Sequence, residues 1–141
     1  MIRSVLILSM FLWTPIFPLV AGGLKKNIKF KAGTNSIKIH DGVIRAQQNL
    51  YFISASTGQS MQIKLTSLEN NAGFTLYGPG FKIKKIDEFD EDIEEIEGDI
   101  LFDADEKHSV WNGVLKKSGR YLIQIGSTRG NASYDLVVSV K

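Results

Sequence analysis

Few residues in this 141-residue chain have the types and spacing that chemistry requires. Cysteine is absent, and histidine occurs only at His40 and His108. Either imidazole could act as a general base or a metal ligand. With no thiolate and no second histidine at helical spacing, neither belongs to a zinc pattern, and each reads as a strand residue. Ser118 lacks the G-x-S-x-G setting of a nucleophile elbow. Carboxylates are plentiful but crowded, with twelve of the fifteen Asp and Glu residues between Asp87 and Glu106. Asp90, Asp92 and Glu94 are the weak candidates for a calcium site, because a hard cation takes oxygen ligands, yet the EF-hand spacing of acids and glycine is missing. The competing reading of this run is a hydrated charge cluster balancing a basic remainder. A glycosidase pair needs two carboxyl groups at a set separation, which a dense acidic run is poorly suited to hold. No cofactor is implied, and the chain reads as a non-enzyme.

The cations offer a different chemistry, that of gripping someone else's carboxylates. Arg129 stands beside Gly130 in the polar stretch Ser127–Ala132. A guanidinium keeps its charge and presents a rigid fork of donors that matches a carboxylate. Arg129, helped by Arg120 or Arg45, could thus enter an acidic cleft; the plain alternative is an exposed arginine of no consequence.

Strands must position these groups. Ser118–Val140 alternates on both sides of its polar stretch: Tyr121, Ile123 and Ile125 share a face, as do Tyr134, Leu136, Val138 and Val140. This period of two predicts a pair of strands joined as a hairpin, with Arg129 at its tip and the Ser118-Gly119 corner at its base. Upstream, Ser36–His40, Gln48–Ala55, Ser60–Ser67 and Phe74–Tyr77 alternate in the same way, and Phe81–Ile86 reads as an edge strand with outward lysines. Asp41-Gly42 is a strong turn signal. Phe89, Ile93 and Ile96 fall near a helical repeat, so Asp87–Asp99 reads as a short helix or an acidic loop. Val110 and Trp111 are the large candidates for burial in the next strand. The expected fold class is all-β, an antiparallel β-sandwich of about eight strands with the acidic loop or short helix inserted; a small closed barrel is the alternative.

Arg3, an apolar run over Val5–Val20 and the small residues Ala21-Gly22-Gly23 describe a secretory signal peptide over residues 1–22, leaving residues 23–141 as one domain. Export without any cysteine suits a periplasmic or secreted bacterial protein held together by burial alone. No membrane contact is expected after cleavage. Nucleic acid is excluded as a partner by export and by the lack of interleaved aromatic and basic residues.

The order Tyr51…Gly58-Gln59, Leu76-Tyr77-Gly78-Pro79-Gly80, Trp111…Gly113, Ser118-Gly119-Arg120-Tyr121, Thr128-Arg129 and Tyr134-Asp135-Leu136 resembles the periplasmic inhibitors of g-type lysozyme. More loosely it is similar to the bacterial pre-peptidase C-terminal domain. The resemblance spans about Ile28 to Lys141 and implies an inhibitor that presses loops into the substrate cleft of a lysozyme, g-type foremost. It implies an interface at Ser118, Gly119 and Tyr121, matching the family's S-G-x-Y corner, and at Arg129, matching its turn arginine. Where those inhibitors carry tyrosines ahead of the first core strand, this chain has Arg45-Ala46-Gln47-Gln48. The competing class is a non-catalytic glycan or cell-wall binding module.

Overall fold

A computed structural model describes residues 23–88, 91–103 and 109–141. The expected signal peptide, Asp90 and His108 lie outside the described residues. The described strands are β1 Lys25–Asn27, β2 Ser36–Val43, β3 Gln48–Ala55, β4 Ser60–Ser67, β5 Ala72–Tyr77, β6 Lys82–Glu88, β7 Glu91–Glu97, β8 Ile100–Asp103, β9 Val110–Val114, β10 Gly119–Ser127 and β11 Ala132–Val140. They form a five-stranded sheet in the order β1-β3-β10-β5-β8, a four-stranded sheet in the order β2-β11-β4-β9, and the separate pair β6-β7. Every pairing is antiparallel except the short one between β1 and β3. The all-β sandwich expected from the alternation is the fold, with eleven described strands in place of about eight.

The two large sheets face each other across one core. Tyr51, Ile53, Tyr121, Ile123 and Ile125 from one sheet meet Met61, Ile63, Leu65, Tyr134, Leu136 and Val138 from the other, and all are buried. Burying each such side chain contributes about 1.5–3 kcal/mol against leaving it in water. At the centre the Tyr51 and Tyr134 hydroxyls are 2.6 Å apart, and Asn49 Nδ2 donates to Tyr134 Oη at 2.8 Å and to the Gly42 carbonyl at 2.8 Å. Buried polar groups are tolerable only when paired in this way. Burial raises the pKa of both tyrosines, and the Tyr51 hydroxyl is raised further by its bond to Tyr134.

Three expectations are corrected. First, β10 and β11 are not a hairpin. β10 is zipped between β3 and β5, β11 between β2 and β4, and residues 128–131 cross from one layer to the other. Two strands that each bury one face look the same in sequence whether they lie side by side or face one another across a core. Secondly, Asp41-Gly42 does not turn. Pairing with β11 runs through Gly42↔Ser133 to Val43↔Ala132, and the chain reverses only at Arg45-Ala46, where Ala46 has φ 64°. Thirdly, the start of the acidic run is a β-hairpin rather than a helix or loop. Three of its glutamates lie opposite lysines, Lys82↔Glu97, Lys84↔Glu95 and Lys85↔Glu94, while Asp87↔Asp92 and Glu88↔Glu91 set acid against acid. The three opposite-charge pairs offset part of the repulsion that the run shows when read alone.

The β6–β7 hairpin forms a third layer. Phe81, Ile83 and Ile96 pack on Leu50, Phe52, Tyr77 and Leu122, the outward residues of the five-stranded sheet. The Phe81 and Phe52 rings stack at 5.9 Å. Lys84 Nζ meets Glu97 at 2.6 Å, and Lys25 fastens the hairpin to β1 through Glu94.

Candidate functional site

The predicted interface residues divide between two ends of the sandwich. β10 has nine residues and so is about 26 Å long. Ser118, Gly119, Arg120 and Tyr121 stand where it begins, and Arg129 stands beyond its far end. Arg45 is also at the far end, its backbone N–H donating to Asn131 Oδ1 at 2.9 Å. One patch containing all six residues is therefore ruled out.

At the Ser118 end the S-G-x-Y residues act on their own loop. The N–H of Thr57 donates to Ser118 Oγ at 2.8 Å, clasping the Ser56–Gln59 turn to the corner. Gly119 has φ +149°, and a Cβ on it would come within 2.8 Å of Pro79 Cβ, so only glycine fits. Tyr121 is buried in the core, and its hydroxyl donates to the Lys117 carbonyl at 2.5 Å. Tyr121 is thus a brace and not a contact surface. The result is a stiff corner over Leu115–Gly119 with Leu115 buried and Lys116, Lys117 and Ser118 exposed. Lys117 Nζ lies 3.6 Å from Asp99, an exposed pair worth little.

Beside this corner the two sheets part at their β8 and β9 edges. A cleft of about 260 Å³ opens there, lined among others by Pro79, Leu101, Trp111, Val114, Lys116 and Lys117. Val114, Ile100 and Leu101 are exposed apolar residues, and Val110, expected to be buried, is 42% exposed. Trp111 is partly buried against the core, as expected of it. Its ring lies over Gly113, where an added Cβ would sit 2.6 Å from the indole. Arg120 lies round the corner on the outer face, its guanidinium 4.0 Å from the Phe52 ring centroid and donating to Asn27 Oδ1 at 2.8 Å. An arginine over an aromatic face gains cation–π attraction and loses freedom.

The far end is built on Asn71, which is buried. Its Nδ2 donates to the carbonyls of Arg129 at 3.1 Å and Asn131 at 3.0 Å, and its carbonyl accepts from Thr128 N at 2.9 Å. Arg129 is exposed, but its guanidinium donates to the Glu69 carbonyl at 2.8 Å, so the side chain lies against the neighbouring turn. Leu68 in that turn is 94% exposed, and Ile44 near Arg45 is 52% exposed.

The remaining candidates are dispersed. Glu94 is taken by Lys25, the Asp92 side chain lies outside the described residues, and no group of three His, Cys, Asp or Glu residues gathers among the described ones. His40 is exposed on the outer face of the four-stranded sheet, with Nδ1 2.8 Å from Asp135 Oδ1. That bond, assisted by Lys38, lowers the pKa of Asp135. The sequence reading missed Asn71, Thr57, Lys116 and Lys117. Asn71 left no signal beyond its place in a turn, whereas the lysine pair directly precedes the S-G-x-Y corner and was there to be weighed.

No family model matches the chain, and no curated protein matches it by sequence. Solved structures do match. PliG from Aeromonas hydrophila, a periplasmic inhibitor of g-type lysozyme, superposes with a TM-score of 0.68 at 22% identity, covering 85% of this chain and 98% of that one. A PliG mutant from Escherichia coli matches with a TM-score of 0.57 at 18% identity over 85% and 100% of the two chains. Salmonella Typhimurium PliG matches with a TM-score of 0.57 at 20% identity over 84% and 99%. The chain therefore has the β-sandwich fold of the g-type lysozyme inhibitors that its sequence resembles. The likeness spans nearly the whole of each inhibitor.

Proposed function

We propose that this chain is an exported protein that inhibits a lysozyme, goose-type foremost, by seating its Ser118 end in the enzyme's substrate cleft. The observation that supports this best is the braced corner over Leu115–Gly119, which presents two lysines on a base with little freedom left to lose. Lysozymes work with a pair of carboxyl groups in a cleft. A cationic protrusion whose loop is already ordered loses little entropy on docking there, and its charges steer the encounter. Arg120 flanks the same corner. Arg129 and Arg45 belong to the opposite end and take no part in this contact. The Ser118 hydroxyl is engaged with Thr57, which fixes the corner for binding. Residues 1–22 would direct export to the periplasm or beyond.

The second reading, a cell-wall glycan module, is favoured by the cleft beside Trp111, since an indole is a good platform for a sugar ring. Assay of the protein against goose-, chicken- and invertebrate-type lysozymes, with titration of peptidoglycan fragments in parallel, separates the two. Stoichiometric loss of goose-type activity is the expected result. Fragment binding with all three enzymes unaffected would sink the inhibitor reading.

A further inference from the structure

We infer that strand β9 is a self-pairing edge, through which two copies of this chain join their four-stranded sheets into one. Among the described residues β9 is the end of its sheet, paired only with β4. An unpaired edge is a template for another strand, and proteins normally blunt it with charge. The other edges here are blunted. β1 carries Lys25 and Lys26, β2 carries Lys38 and His40, and β6 carries three lysines; β8 is four residues long and is interrupted by a register shift in its pairing with β5. β9, Val110-Trp111-Asn112-Gly113-Val114, has no charge, no proline and no bulge.

The occupant follows from the free groups and the order of residues. Leu65 N donates to the Ser109 carbonyl and Leu115 N to the Gln59 carbonyl, so the odd-numbered residues from Ser109 to Leu115 turn their peptide groups toward β4. By alternation, the N–H and C=O groups of Val110, Asn112 and Val114 point away from the sheet. An antiparallel second β9 centred on Asn112 meets those groups in register. Asn112 faces its own copy, Val110 faces Val114, and each of these pairs can exchange two hydrogen bonds. The side chains match in the same register. On the outer face the exposed valines cover each other around an amide pair. On the inner face each Trp111 neighbours a Gly113, large against small. Only a two-fold related copy of the same strand satisfies all of these at once.

The antiparallel arrangement sends the two Ser118 corners to opposite ends of the joined sheet. It stands whether or not the partner of that corner is a lysozyme.

Sedimentation equilibrium of the purified protein from micromolar to millimolar concentration should show a monomer–dimer equilibrium. Asn112→Lys places like charges face to face on the two-fold axis and should weaken association by roughly tenfold or more. Mixing Asn112→Lys with Asn112→Asp should restore it as a heterodimer. Hydrogen-bonded antiparallel partners stand about 5.5 Å apart at Cα, within disulfide reach. In this cysteine-free chain, Asn112→Cys should therefore oxidise to a covalent dimer far faster than Ser54→Cys on the opposite sheet. A monomer at every concentration overturns the inference. So does a dimer that Asn112→Lys leaves intact, or equal oxidation of the two cysteine variants.

Discussion

Ser118 and Arg129 flank the nine residues of β10 and so stand at opposite ends of the sandwich. Ser118 is clasped to the Thr57 turn, and Arg129 rests on the Glu69 carbonyl. A partner the size of a cleft-bearing enzyme can insert one of these ends into its groove, not both.

It follows that variants at the two ends should separate. Lys116→Ala with Lys117→Ala is expected to weaken lysozyme inhibition about tenfold at low salt, mostly through slower association, with the effect shrinking as salt is added. Arg129→Ala should leave inhibition within about twofold, as expected of a residue outside the contact. Association rates against ionic strength provide the check. The reverse pattern would move the interface to the Asn71 end.

Gly119→Ala tests the brace. The added methyl meets Pro79 and the backbone conformation disfavours a side chain, for a combined cost of about 1–3 kcal/mol. Urea unfolding should register that loss. Inhibition measured well below the unfolding midpoint should also fall, because the corner carrying Lys116 and Lys117 is displaced.

The tyrosine pair sets an alkaline limit. Tyr134→Phe strands the Tyr51 hydroxyl and should cost about 1–3 kcal/mol, whereas changing both tyrosines to Phe should cost less than the sum of the two single changes. Burial raises the pKa of both hydroxyls in the folded state. The unfolded chain therefore releases these protons first, and stability should fall as pH rises above about 10, the ordinary tyrosine value. Chemical denaturation across that range should show the decline, and the doubly substituted protein should lose most of it.

The β6–β7 layer should detach without melting the sandwich. Phe81→Ala removes its stacking on Phe52, a loss of about 1–2 kcal/mol for a half-buried ring. Amide exchange over Lys82–Glu88 and Glu91–Glu97 is expected to quicken roughly tenfold while β10 and β11 stay protected. Equal quickening in β10 would show that the hairpin is part of the cooperative core.

The all-β class and most of the core were legible in the sequence, because strand alternation is a local property. A side chain's face follows from its position within the strand, so Tyr51, Ile53, Met61, Ile63, Leu65, Tyr134 and Leu136 fell on the buried side whatever their partners were. The lysines that guard the β6 edge were visible for the same reason. Partner choice is not local. Whether β10 lies beside β11 or across the core from it depends on β2, β3, β4 and β5, and alternation reads the same in either case. The strand between Ser118 and Arg129 already set them a strand's length apart, and tertiary structure alone put β10 and β11 in different sheets. It also set three glutamates of the acidic run opposite lysines earlier in the chain, and among the described residues it left β9 as an uncharged edge beside an open cleft.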